Sequence, residues 1–252
     1  MSAERNIRLE IEYEGTAYAG WQLQNGARTI QGEITGAVKK VTGRQVNLIG
    51  AGRTDAGVHA LGQVANFRVE HDLEATRFRD ALNYYLSEDI RILHSGEVPL
   101  EFHARFDARQ RRYRYLVSPE LSAIYRLQRY HLTREIDYAL LQKAASRVLG
   151  KHDFAPFCVV ASRKENNECE VSFSRWFRYG SLLVYEVRAN RFLHGMVRSL
   201  VGGMLNLATV EPDQNRLNLT LQSFSDMITA PTDERVAFTA PAHGLYLVKV
   251  LY

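Results

Sequence analysis

The segment Ile7 to Glu14 alternates without a break: Ile7, Leu9, Ile11 and Tyr13 fall on one side, and Arg8, Glu10, Glu12 and Glu14 on the other. A period of two means a strand with one dry face and one wet face. Something apolar must therefore cover Ile7, Leu9, Ile11 and Tyr13. Suitable material follows at once. Thr29 precedes Ile30, Ile34, Ala37, Val38 and Val41, the spacing of a capped amphipathic helix. Phe78, Ala81, Leu82, Tyr85 and Leu86 predict a second helix. Short strands are predicted at 46–49 and 65–69, and another at 90–98.

The second half repeats the style. Arg112 to Val117 alternates as a strand, and 171–178 with 182–189 reads as a strand pair around Tyr179-Gly180-Ser181. Asp137 caps a predicted helix that Gly150 ends. Met196 to Ala208 has helical periodicity weakened by Gly202 and Gly203. Leu217, Leu221, Phe224 and Ile228 mark a last helix, and 245–252 a closing strand. This order predicts an α+β fold of two similar domains, 1–105 and 106–252, each a mixed or antiparallel sheet with helices on one face.

Composition narrows the function classes. The chain has 252 residues, 46% hydrophobic and 24% charged, which excludes a disordered or fibrous chain. A net charge of +4 permits a nucleic-acid partner without requiring one. Two cysteines, Cys158 and Cys169, exclude a disulfide framework. The eight histidines form no close ligand pair with each other or with the cysteines, so no metal is expected. No organic cofactor is expected either. Met1 to Glu10 is polar and charged, and no apolar run approaches the ~20 residues of a spanning helix, so the expectation is a cytoplasmic protein without a membrane.

Three segments carry candidate chemistry. Gly50-Ala51-Gly52-Arg53-Thr54-Asp55-Ala56-Gly57-Val58-His59 surrounds one Arg and one Asp with glycines. It is either a tight turn or a place where a ligand comes close. It lacks the phosphate-loop ending Gly-Lys-Ser/Thr. Between His103 and Tyr115 lie Arg105, Arg109, Arg111, Arg112 and Arg114, opposed only by Asp107 and interleaved with Tyr113. Guanidinium forks suit phosphates and aromatic faces suit unstacked bases. A solvated charged face is the competing reading. In the loop Gly20-Trp21-Gln22-Leu23-Gln24-Asn25, Trp21 and Gln22 can meet a base or sugar, or Trp21 simply anchors the loop.

Taken together and in order, these blocks resemble the tRNA pseudouridine synthase A family. The resemblance runs from Tyr13-Glu14-Gly15-Thr16-Ala17-Tyr18-Ala19-Gly20-Trp21-Gln22 through Gly52-Arg53-Thr54-Asp55-Ala56-Gly57-Val58-His59. It continues through Phe102-His103-Ala104-Arg105-Phe106, Arg111-Arg112-Tyr113-Arg114-Tyr115, Asn190-Arg191-Phe192-Leu193 and Met196-Val197-Arg198 to Gly244-Leu245-Tyr246-Leu247. It implies two α+β domains meeting at a central basic cleft, a homodimer and no cofactor. The implied activity is isomerisation of uridine to pseudouridine at positions 38, 39 and 40 of the tRNA anticodon stem-loop. By the resemblance, Asp55 is the catalytic nucleophile, with Arg198 as its ion-pair partner. Tyr113 stacks on the uracil, Arg53 holds the flipped nucleotide, and Leu245 lines the pocket. Arg105, Arg109, Arg111, Arg112, Arg114, Trp21 and Gln22 are the further RNA-binding candidates.

The chain departs from the family pattern at Ser87, where a proline is usual, at Ala208, and over 162–171. The arginine and tyrosine run needs no Asp55, so a non-catalytic RNA-binding or tRNA-folding protein is the alternative reading. Whether Asp55 attacks C1′, adds to C6 or removes the C2′ proton stays open.

Overall fold

A computed structural model describes residues 3–210, 219–230 and 238–252. It is an α+β fold with mixed strand pairing and, among the described residues, five α-helices. Contacts divide the chain into two compact units, 1–109 with 246–252, and 110–245.

The first unit runs β1 (Glu4–Tyr13), α1 (Ile30–Thr42), β2 (Ile49–Gly50), β3 (His59–Glu70), α2 (Phe78–Tyr85) and β4 (Ile90–Val98). β1 lies antiparallel to both β3 and β4, and β2 is antiparallel to β3. The last strand, β10 (Leu245–Leu251), joins β3 in parallel through Tyr246↔His59 and Leu247↔Ala60. The dry face of β1 is the expected one, with Ile7, Leu9, Ile11 and Tyr13 all buried. Phe78 of α2 stands edge-on to Phe67, 5.7 Å away. α1 buries Ile30, Ile34, Ala37 and Val38, and Thr29 caps it by accepting from the Gly32 N–H at 3.2 Å. The strand expected over 46–49 is reduced to Ile49–Gly50, while β3 starts earlier than its apolar alternation suggests, at His59. Ladder partners on β1 and β10 satisfy its early backbone groups, which side-chain periodicity does not report.

The other face of this sheet is polar at its centre. Asn6 and Asn66 are buried, and Asn66 Nδ2 donates to Asn6 Oδ1 at 2.9 Å. Asn6 Nδ2 also donates to the Phe102 carbonyl at 2.9 Å, and Asn66 Oδ1 accepts from the Ala104 N–H at 2.9 Å. Two side-chain amides thus hold down the backbone of the segment before Arg105.

The second unit runs β5 (Gln110–Ser118), β6 (Tyr130–His131), α3 (Tyr138–Arg147), β7 (Gly150–Asp153), β8 (Glu168–Tyr179), β9 (Leu182–Ala189), α4 (Met196–Ala208) and α5 (Leu221–Thr229). β5, β9, β8 and β7 are successive antiparallel neighbours, and β6 pairs with β5 in parallel. Asp137 caps α3, accepting from the Leu140 N–H at 2.9 Å. α4 is helical through Gly202 and Gly203 because it is buried along most of its length. A side chain at Gly202 would run into the Phe238 carbonyl oxygen, so the cost in propensity is offset by close packing. α5 is capped by Thr220 and Ser223 reciprocally; Leu217, expected in this helix, lies outside the described residues. Among the described residues no helix is long and apolar enough to cross a membrane.

Candidate active site

The Asp55 turn links β2 to β3, and several of its backbone groups are held by partners. The Ala51 N–H donates to Val64 O at 2.7 Å, and Gln63 Nε2 donates to Gly52 O at 2.9 Å. Gln63 is fully buried. The Thr54 hydroxyl lies 2.8 Å from the buried Tyr13 hydroxyl. The Val58 N–H closes the turn on Asp55 O at 3.2 Å, with Gly57 at φ 76°. Thr54 is buried, Asp55 half-buried and Arg53 exposed. Burial pushes the Tyr13 phenol well above its ordinary range, only partly countered by hydrogen bonds with Thr54 and Gln63. Tyr13 therefore remains a neutral hydroxyl beside the turn.

The loop from Gly15 to Gly26 lies directly against this turn. The Trp21 N–H donates to Thr54 O at 3.0 Å, and the Gly57 N–H donates to Tyr18 O at 3.3 Å. The Trp21 ring packs over Gly50, where a Cβ would stand 2.6 Å from the indole. Trp21 is 1% exposed and its ring lies 6.1 Å from Tyr13. The structure places it as the loop's anchor, with Gln22 half-buried beside it. His59 Nδ1 accepts from the Gly15 N–H at 3.0 Å, and its ring stacks on Tyr246 at 4.7 Å. Asp55, Arg53, Trp21 and Gln22 are thus gathered on two interlocked loops.

The basic segment does not act as one patch. Arg105 is exposed and sets its guanidinium 5.9 Å over Phe106, itself 76% exposed. Arg109 is exposed, and its N–H donates to Leu251 O at 2.8 Å. On β5 the alternation turns Arg111, Tyr113 and Tyr115 to one face and Arg112 and Arg114 to the other. Arg111 is buried and donates from Nη1 to Asn190 O at 2.7 Å. Arg112 and Arg114 both reach Glu186 Oε2, at 2.5 and 2.8 Å, while Arg188 donates to Oε1 at 2.6 Å. Burial alone would raise the Glu186 carboxyl; hydrogen bonds from Arg112, Arg188 and Arg114 outweigh it and hold the group below the ordinary carboxylate value.

Tyr113 is 7% exposed, with its ring edge-on to Phe192 at 5.1 Å. Arg198 lies in the first turn of α4 and donates from Nε to Ala240 O at 2.8 Å; its own carbonyl accepts from the Ala240 N–H at 3.0 Å. Leu245 is buried and follows Gly244, whose Cα packs on the Tyr115 ring so closely that a Cβ would fall 2.6 Å from it. The Tyr115 hydroxyl donates to Pro241 O at 2.7 Å. Burial, with Tyr130 adding to it, pushes the Tyr115 phenol far up, and Arg198 partly counters this. Arg198, Tyr115 and the 240–245 segment are therefore one neighbourhood.

A carboxylate in a turn, a tyrosine ring and an arginine held by a backbone carbonyl are the parts that the sequence resemblance picked out, and the chain as a whole is similar to known proteins. A family model described as tRNA pseudouridine synthase matches residues 10–107 and 144–252. The tRNA pseudouridine synthase A of Acetivibrio thermocellus is 41% identical over 250 residues, covering 98% of this chain and 100% of that protein. The tRNA pseudouridine synthase A of Chlorobium luteolum is 41% identical over 249 residues, covering 98% and 96%. That of Rippkaea orientalis is 39% identical, covering 99% and 84%. The chain belongs to the tRNA pseudouridine synthase family. Asp55, Arg53, Arg105, Arg198 and Leu245 fall in the segments matched by the family model; Tyr113 falls in the stretch between them.

Sequence reasoning missed three buried polar residues that hold the candidate segments in place. Glu186 was legible only as an acid within an apolar strand, since its partner Arg114 is 72 residues away and found by strand register. Asn6 and Asn66 gave no signal at all. Among the described residues, no group of three or more His, Cys, Asp or Glu side chains could hold a metal ion.

Proposed function

We propose that this chain isomerises uridine to pseudouridine at positions 38, 39 and 40 of the tRNA anticodon stem-loop, with Asp55 as nucleophile. The observation supporting this most directly is the Asp55 turn itself. One half-buried carboxylate is held by two interlocked loops, with an exposed Arg53 two residues away. The reaction breaks the C1′–N1 bond, turns the uracil and joins C5 to C1′. The C5 proton leaves and N1 gains one, so no cofactor is consumed. A carboxylate that attacks or steadies the sugar or base suits such a step.

A uridine in a stem must be flipped out, at a cost of a few kcal/mol. Stacking on Tyr113 offsets about 1–3 kcal/mol of this. Arg53 holds the flipped nucleotide, Arg198 pairs with Asp55 and keeps it charged and oriented, and Leu245 walls the uracil. The exposed Arg105 and Arg109 contact phosphates, whereas Arg111, Arg112 and Arg114 mainly build their strand. The reading includes domains at 1–105 and 106–252 about a basic cleft, a homodimer and a cytoplasmic location.

The test uses tRNA transcripts carrying tritium at C5 of uridine. Wild type releases tritium with no added cofactor, while Asp55→Ala binds tRNA as tightly and releases none. Tight binding by both proteins with release by neither would leave a non-catalytic RNA-binding protein.

A further inference from the structure

Four side chains in the first unit are joined in a cluster that the uridine chemistry does not use. Tyr18 is 3% exposed, and its hydroxyl donates to Asp89 Oδ1 at 2.6 Å. The Ser87 hydroxyl donates to the same oxygen. Arg28 donates from Nη2 to Ser87 Oγ at 3.0 Å and has Nη1 3.7 Å from Asp89 Oδ2. Its guanidinium lies 4.5 Å over the Tyr18 ring, and its Nε reaches Glu33 in the first turn of α1 at 2.8 Å. Burial and the Asp89 contact push the Tyr18 phenol up to about 12, so it stays a donor.

The backbones of the same residues lead to the Asp55 turn. The Tyr18 carbonyl accepts from the Gly57 N–H at 3.3 Å. The Asp89 carbonyl accepts from the Glu14 N–H at 2.9 Å, and the next N–H, that of Gly15, donates to His59 Nδ1 at 3.0 Å. With the bond from the Trp21 N–H to Thr54 O, the turn is gripped at its start, middle and end by one loop. Asp89 holds Tyr18 in that loop through its side chain, and Glu14 at the loop's entry through its backbone carbonyl. Ser87, where the family pattern has a proline, supplies the hydroxyl that joins Arg28 to Asp89.

We propose that Asp89, Tyr18 and Arg28, bridged by the Ser87 hydroxyl, are positioning residues that set the place and direction of the Asp55 carboxylate through the 15–26 loop. The proposal rests on the reading of Asp55 as the group that acts on uridine. A network that only stabilised the fold would lower the melting temperature and leave turnover by the folded enzyme unchanged. A positioning network acts on kcat, because reacting groups misplaced by a fraction of an ångström lose rate steeply.

The variants are Tyr18→Phe, Asp89→Asn and Arg28→Gln, with Asp80→Asn at the exposed Arg79–Asp80 pair as control. Two quantities are measured: tritium release from C5-labelled tRNA, and hydrogen exchange of the amides of residues 54–58. The expected result is kcat lower by about tenfold, KM for tRNA within about twofold of wild type, and faster exchange at 54–58. The control matches wild type in all three. Should Asp89→Asn fail to fold, Tyr18→Phe retains the ring and Arg28→Gln alters a partly exposed side chain, so these two decide. Unchanged kcat together with unchanged exchange at 54–58 in folded variants overturns the proposal. Absence of release by wild type would instead refute the function assigned to Asp55. The exchange data alone would then decide whether the cluster holds the turn.

Discussion

Gly20 is the position at which the smallest chemical change should disturb Asp55 most. Its φ is 93°, and a Cβ built there stands 2.6 Å from Thr54 O and 3.1 Å from both Ala56 N and Asp55 C. Ordinary contact begins at 3.4 Å, so Gly20→Ala forces the Thr54 carbonyl back by about 0.8 Å, as the difference between the two distances. That carbonyl accepts the Trp21 N–H at 3.0 Å, a bond that such a shift breaks. The backbone strain of a left-handed alanine adds about 1–2 kcal/mol. The lost hydrogen bond adds about 1 kcal/mol. The sum is about 2–3 kcal/mol, which lowers the melting temperature by about 5–10 °C for a chain of this size. Because the displaced carbonyl immediately precedes Asp55, turnover drops by about ten- to a hundredfold while tRNA affinity holds. Calorimetry, tRNA binding and tritium release from C5-labelled transcripts measure the three quantities. A Gly20→Ala protein that melts like wild type and keeps turnover within about twofold refutes the reasoning.

Two further outcomes follow from the packing. Glu186→Gln leaves three arginines around a neutral amide and costs about 1–3 kcal/mol in chemical denaturation at pH 7, discounted because the guanidiniums are partly in water. The folded Glu186 carboxyl is depressed below its ordinary 4.5, so its stabilisation is present above that pH and is lost as pH falls through the lower folded value. The stability gap between wild type and Glu186→Gln therefore narrows on acidification; a constant gap down to pH 3 contradicts it. At Gly36 in α1 an added Cβ meets nothing within 4 Å. Gly36→Ala should therefore stabilise by about 0.5–1 kcal/mol, read as a higher denaturant midpoint at unchanged activity.

Where a residue's role depends on neighbours in sequence, reading the chain was enough. The dry face of β1, the Thr29 cap of α1 and the Asp137 cap of α3 are set by side-chain period and by a hydroxyl or carboxylate within three residues of its N–H. The Asp55 segment was legible for a related reason: a run of small residues about one Arg and one Asp marks where the backbone must come close to something. What could not be read were partners brought together by strand register and loop closure. Arg112 and Arg114 looked like free cations and instead converge on Glu186, because antiparallel pairing places β9 beside β5. Trp21 offered an indole to a base and is committed to Gly50 and Thr54. Ser87 looked like a mere departure from a family pattern and sits between Arg28 and Asp89. Sequence fixes which groups a segment presents, since that is local stereochemistry. Tertiary structure decides which of them stay available to a substrate, since a buried polar group must find a partner, and for Tyr115 that partner lies 126 residues away.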